Sequence, residues 1–294
     1  MCDESDISNW DRKLQKTGLN RRDFSALTGA AALAACTGET SATRGLENAA
    51  NLVENRVLID TEDGEMDAFF VHPKEGQHPA VLVWPDIASL RESKRNIARR
   101  LADQGYAVLV ANPYYRDVAG DRFESSVAFR EAGGFELVGP WREKLSSDAV
   151  MRDADALIGW LDGQESVDTA RGIGTQGYCM GGPFTVYTAR SRPDRVKAAA
   201  SFHGGGLVRD DEHSPHRILE AGTSYLFAIA QNDDERAPDD KTELRRAADG
   251  AGVSAEIEVY GADHGWTVPD NPVYLLEPAE RAWARLLALY AAST

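Results

Sequence analysis

The chain of 294 residues holds only three cysteines, Cys2, Cys36 and Cys179. The first two fall in or at the edge of an N-terminal leader, so the body keeps Cys179 alone and no disulfide can close within it. A thiol with no structural partner points to chemistry, and in an oxidising compartment it calls for a guarded site. Positive charge is scarce as well, with 32 Lys and Arg against 47 Asp and Glu and a formal net charge of −15. The acids and bases of the leader cancel, so the excess belongs to the body and disfavours nucleic acid and anionic membrane surfaces as partners. There is no internal repeat and no long low-complexity run. Gly204-Gly205-Gly206 lacks the spacing and the lysine of a phosphate-binding loop. His213 and His216 could suggest a metal, but Pro215 between them discourages the helix that would bring them together. The segment reads as a solvated acidic loop, and no metal is expected.

No apolar run is long enough to span a bilayer; the most hydrophobic part of the leader, Ala26 to Ala35, is too short. It follows Arg21-Arg22-Asp23-Phe24, which has the form of a twin-arginine export signal, and it ends in Leu33-Ala34-Ala35-Cys36, which looks like a bacterial lipobox. Residues 1–35 are therefore expected to be a removed export signal. Cys36 would be lipidated, residues 36–51 would form a flexible tether, and residues 52–294 would be the folded domain. This predicts a periplasmic or cell-envelope protein that touches the membrane only through its lipid.

From Cys36 onward the body is 259 residues, enough for one sizeable core. Strand patterns alternate with helical ones. Arg56–Asp60 and Glu65–His72 read as a hairpin around Asp63-Gly64, and Ala80–Trp84 and Tyr106–Ala111 as buried strands. Ser89-Leu90-Arg91-Glu92 has capping-box form, predicting a helix to about Gln104. Ser147–Asp162 is helical with Val150, Ala154, Leu157, Ile158 and Leu161 on one face. Val196–Phe202 is a strand, Asp239–Gly250 a helix, and Pro278 opens a last helix. The alternation implies an α/β fold with a mostly parallel sheet covered on both faces. Residues 112–146 lack clear periodicity but contain Tyr114, Tyr115, Phe123, Phe129, Phe135 and Trp141. So long a loop in a compact domain is usually functional, and a lid over the site is expected.

The most specific signal is Gly177-Tyr178-Cys179-Met180-Gly181, set between a strand over Gly172–Gly177 and a helix over Met180–Ala189. This is the G-x-nucleophile-x-G turn of an α/β-hydrolase with cysteine in the serine position. A thiolate there gains from the helix dipole and the first N–H groups. Asp233 follows a strand over Tyr225–Ala230, and His264 follows another over Ala255–Tyr260, which completes the nucleophile, acid, histidine order. His264 would take the thiol proton and Asp233 would orient the imidazole. Asp234 competes for the acid role: counting from the strand start favours Asp233, whereas counting back from Pro238 favours Asp234. Asp86, Tyr115, His203 and Trp266 are expected to line the substrate pocket.

On Gly177-Tyr178-Cys179-Met180-Gly181-Gly182, Asp233, Asp263-His264-Gly265 and Phe202-His203-Gly204-Gly205-Gly206-Leu207, the body resembles the dienelactone hydrolase family over roughly Arg56 to Tyr290. The resemblance implies a Cys-Asp-His triad and hydrolysis of a small carboxylic ester or lactone without metal or organic cofactor. It also implies an oxyanion hole from the N–H groups of Ile87 and Met180. Two departures stand out. Asp86 occupies the family's glutamate position, so its carboxylate reaches one methylene less far. The family's substrate-carboxylate arginine after the histidine is missing from His264-Gly265-Trp266-Thr267-Val268. A less anionic substrate than dienelactone is therefore expected, unless Arg91, Arg116 or Arg122 enters the pocket. An acyltransferase or thioesterase-like activity is the alternative chemistry. A non-catalytic binding lipoprotein on an old hydrolase fold is the alternative class.

Overall fold

The computed structural model describes residues 51–294. The export signal, the lipobox Cys36 and nearly all of the tether lie outside the described residues. Among the described residues no helix is long and apolar enough to cross a membrane.

Eight strands form one sheet: β1 (Leu52–Thr61), β2 (Gly64–Pro73), β3 (Ala80–Trp84), β4 (Ala107–Ala111), β5 (Ile173–Tyr178), β6 (Val196–Phe202), β7 (Ser224–Ala230) and β8 (Ala255–Tyr260). Their order is β1-β2-β4-β3-β5-β6-β7-β8. The β1–β2 hairpin, closed at Thr61↔Gly64, and the β2–β4 pair are antiparallel. The other pairs are parallel. The strand and helix alternation anticipated this mostly parallel sheet, and the Gly177–Gly181 turn its α/β-hydrolase form.

The period of two in the strands separates two core layers. Val81, Val83, Val108, Val110, Ala198 and Ala200 face helices α1 (Glu92–Ala102) and α8 (Leu276–Ser293), meeting Ile97, Leu101, Leu286 and Tyr290. Leu82, Trp84, Leu109 and Phe70 face α4 (Ser147–Asp162) and α5 (Gly182–Ser191), meeting Val150, Ala154, Leu157, Ile158 and Phe184. Both layers are buried, which is why β3 and β4 are continuously apolar.

Two expectations need correction. Ser89 does not cap α1: the helix starts at Glu92 with Arg91 as its N-cap and no side-chain cap. Ser89 instead takes a left-handed φ of 61°, and its hydroxyl donates to Asn112 Oδ1 at 3.1 Å. Residues 112–146 are not one irregular loop. They contain α2 (Ser126–Glu131) and α3 (Gly134–Arg142), whose Phe123, Phe129 and Val138 pack on Ile87, Ala88 and Tyr114 as a local core. Five of the six aromatics there, Tyr114, Phe123, Phe129, Phe135 and Trp141, belong to this core, with Phe129 edge-on to both Phe123 and Phe135. The acid-bearing segment after β7 is also a short helix, α6 (Gln231–Arg236), followed by α7 (Asp240–Ala251).

Candidate active site

Every parallel strand from β3 to β8 except β4 delivers a candidate residue just beyond its C-terminal end, where ligands of such sheets bind. Asp86 and Ile87 follow β3, Cys179 follows β5, His203 follows β6, Asp233 follows β7 and His264 follows β8.

Cys179 has a φ of 53°, in the left-handed region that a non-glycine residue rarely adopts. It begins a single 3-10 turn, Cys179–Gly181, that leads into α5. The turn is tight enough to forbid side chains on either flank. A Cβ on Gly177 would sit 1.9 Å from the Gly181 carbonyl oxygen, and one on Gly181 would sit 2.6 Å from the carbonyl oxygens of Trp84 and Pro85. These glycines let strand, turn and helix approach and aim residue 179 off the sheet. The chemistry expected of Cys179 belongs to its reduced thiol form.

Asp233 and His264 are brought together: Asp233 Oδ2 lies 2.7 Å from His264 Nδ1. The adjacent segments are stitched around this contact. Gln231 N–H donates to the Ala262 carbonyl at 3.0 Å, Gln231 Nε2 to Asp263 Oδ1 at 2.8 Å, and His264 N–H to Asn232 Oδ1 at 2.8 Å. Burial opposes ionisation of Asp233, but the His264 ring and the Arg236 guanidinium outweigh it and hold its pKa below the ordinary carboxylate value. Asp234 turns away to Lys241 Nζ at 2.5 Å. Gln231 and Asn232 were not singled out in the sequence, because their roles depend on a helical turn docking against the histidine loop.

A cavity of about 290 Å³ opens at Cys179, lined also by Ile87, Met180, Phe184, Tyr187 and Gly205 among others. Both expected oxyanion donors, Ile87 and Met180, are on its wall beside Cys179. The insertion contributes Arg142, Leu145 and Ser146 to the same wall. Arg209, after β6, completes it with Gly206.

The four expected pocket residues sit elsewhere. Asp86 is buried in ion pairs with Arg91 at 2.7 Å and Lys94 at 2.8 Å, which hold its carboxyl far below its usual range against the cost of burial. Tyr115 lies in the core layer on the α4 side, donating to Asp153 Oδ1 at 2.7 Å. Trp266 is fully buried, stacked on Tyr260 with centroids 5.2 Å apart. His203 is buried behind His264, with ring centroids 4.9 Å apart, and its Nε2 lies 2.9 Å from Thr267 Oγ1. Burial, and then the nearby His264, push the His203 pKa well below the ordinary histidine value. Nor do the three arginines foreseen as replacements line this cavity: Arg91 is fully buried, and Arg116 pairs with Asp63 and Asp153.

The dienelactone hydrolase family model matches residues 66–293. A Methylorubrum extorquens protein provisionally named carboxymethylenebutenolidase is 31% identical over 281 residues, covering 92% of each chain. An Escherichia coli protein with the same provisional name is 28% identical over 243 residues, covering 80% of this chain and 86% of its own. Among solved structures, a provisionally assigned dienelactone hydrolase of Klebsiella pneumoniae superposes with a TM-score of 0.70 at 26% identity, over 82% of this chain and 98% of that one. The Gly177–Gly181 turn, an Asp–His pair and a cavity at the sheet's C-terminal edge thus coincide with a match over most of the folded body, and the chain belongs to the dienelactone hydrolase family of ester hydrolases.

Proposed function

We propose that the reduced enzyme hydrolyses a small carboxylic ester or lactone through Cys179. The observation that carries this reading is the 2.7 Å contact between Asp233 and His264, with Asp233 on the wall of a second cavity that shares Gly205 and Gly206 with the one lined by Cys179, Ile87 and Met180. His264 takes the thiol proton, and Sγ forms a bond to the substrate carbonyl carbon. The resulting oxyanion is held by the N–H groups of Ile87 and Met180. The carbon–oxygen ester bond then breaks, and the leaving oxygen takes the proton from His264. Water, deprotonated by His264, attacks the thioester and releases the carboxylic acid and the thiol. Asp233 keeps the imidazole oriented and stabilises its cationic form.

The charge of the substrate is read differently from the expectation based on the missing arginine. Arg142 and Arg209 stand on the cavity wall. Arg209 is held by Asp211 at 2.7 Å and Tyr187 at 2.8 Å. For Arg142, no ion pair or side-chain hydrogen bond is found among the described residues. Two guanidiniums beside the nucleophile support a substrate with an anionic group placed away from the scissile bond. Kinetics on a lactone and its carboxylate-bearing analogue, at low and high salt, test this. Preference for the anion that weakens with salt supports it, and preference for the neutral lactone refutes it.

Export as a lipoprotein rests on Arg21-Arg22 and Leu33-Ala34-Ala35-Cys36. Mass spectrometry of native membranes should find an N-terminus at lipidated Cys36, and an intact Met1 on a soluble protein would refute it. Residues 112–146 are read as the lid segment of the single domain, because they supply part of the cavity wall.

A further inference from the structure

We propose that Arg91 is a positioning residue that fixes the oxyanion donor Ile87 relative to the loop carrying His264. The inference rests on the thiol hydrolase reading above. Arg91 is fully buried, and every nitrogen of its guanidinium is engaged. Nη1 and Nη2 grip both oxygens of Asp86, at 2.7 and 2.9 Å. Nη1 also donates to the Ser89 carbonyl at 3.1 Å. Nε and Nη2 grip both oxygens of Asp270, at 2.7 and 3.0 Å, and Nη2 reaches Ser126 Oγ at 3.0 Å.

These contacts join three segments that the reaction needs together. The first is the turn after β3, residues 85–91, which carries Ile87. Within it Asp86 Oδ1 accepts the Ala88 N–H at 3.0 Å, and the Asp86 carbonyl accepts the Ser89 N–H at 2.9 Å. Ser89 has left-handed backbone, a conformation that lasts only where its surroundings over-determine it, and Arg91 holds its carbonyl. The second segment is the loop after His264, which carries Asp270. The third is the start of α2 in the insertion, where Asp270 also accepts the Ser126 N–H at 3.2 Å. A bidentate fork can fix two carboxylates in one plane, whereas a lysine ammonium cannot. With its carboxylate held in this way by Arg91 and Lys94, Asp86 organises the turn and leaves thiol deprotonation to His264.

The test uses the full chain under reducing conditions, with p-nitrophenyl butyrate as substrate and butyraldehyde as inhibitor. The aldehyde carbon bonds to Cys179 Sγ while the thiol proton ends on its oxygen, so that oxygen occupies the oxyanion position. Arg91→Lys is expected to lower kcat about 10–100-fold, the scale of a displaced oxyanion donor. The butyraldehyde inhibition constant should rise by a comparable factor, with KM and the rate of Cys179 alkylation by iodoacetamide little changed. A folded Arg91→Lys with unaltered kcat, or with reduced kcat and unaltered butyraldehyde affinity, overturns the inference. Should that variant not fold, Asp270→Asn decides: the same paired losses, smaller in size, support the role, and unchanged kcat and butyraldehyde affinity overturn it. Cys179→Ala runs alongside. If it turns over like wild type, the hydrolase reading itself fails, whereas a dead Cys179→Ala with a fully active Arg91→Lys removes only the role of Arg91.

Discussion

Asp233 Oδ2 meets His264 Nδ1 at 2.7 Å, while the next residue, Asp234, pairs with Lys241. Two adjacent carboxylates thus serve different partners because a helical turn at Gln231–Arg236 points them apart. Asp233→Asn is expected to lower kcat on the order of 10³–10⁴-fold, as loss of the orienting acid does in other triads. Asp234→Asn should cost under about 3-fold, the effect of an ion pair that is partly exposed. Steady-state kinetics on both variants checks this ranking, and the reverse order would move the acid to Asp234.

Arg142 comes from the end of α3, in the insertion, and reaches the cavity beside Cys179. Arg142→Gln should reduce kcat/KM for a carboxylate-bearing substrate roughly 10–100-fold, the scale of a charge-assisted hydrogen bond. Its effect on the neutral analogue should be small. Equal losses on both substrates would show that Arg142 shapes the wall without reading charge.

His203 sets the sign of a pH dependence of stability. Its folded pKa lies well below the ordinary histidine value, through burial and then through His264 and Lys94, with Asp86 opposing. Below about pH 6.5 the unfolded chain therefore binds a proton that the folded protein does not, and stability falls as pH falls. The slope from this one group is at most about 1.4 kcal/mol per pH unit. His216, also lowered, acts in the same direction. Urea denaturation at pH 7.5, 6.0 and 5.0 should show a smaller loss on acidification for His203→Gln than for wild type. An unchanged pH dependence would mean that His203 charges without cost.

Much of this was legible in the sequence because it is local. The apolar runs of β3 and β4, the face of α4 and the Gly177–Gly181 turn depend on neighbours a few residues away. What was missed depends on contacts across the fold. Ser89 looked like a helix cap because its spacing to Glu92 is right, yet Arg91, buried between Asp86 and Asp270, sets that turn differently. Tyr115 and Trp266 looked like pocket aromatics, but Thr61 and Asp153 hold the first and Tyr260 the second. Arg142 and Arg209 lie far from Cys179 in sequence, and only the docking of the insertion and of the segment after β6 brings them to one wall.

The most direct measurement is turnover of a chromogenic ester by reduced wild type, Cys179→Ala and Cys179→Ser, with the folded state of each verified by circular dichroism. Thiol catalysis predicts that Cys179→Ala loses on the order of three decades or more of kcat, as other triads do without their nucleophile. Cys179→Ser should keep a small residue of activity, because the oxyanion donors remain while the nucleophile is weaker. Alkylation of Cys179 in wild type should track loss of activity one for one. Undiminished turnover by a folded Cys179→Ala would contradict the account.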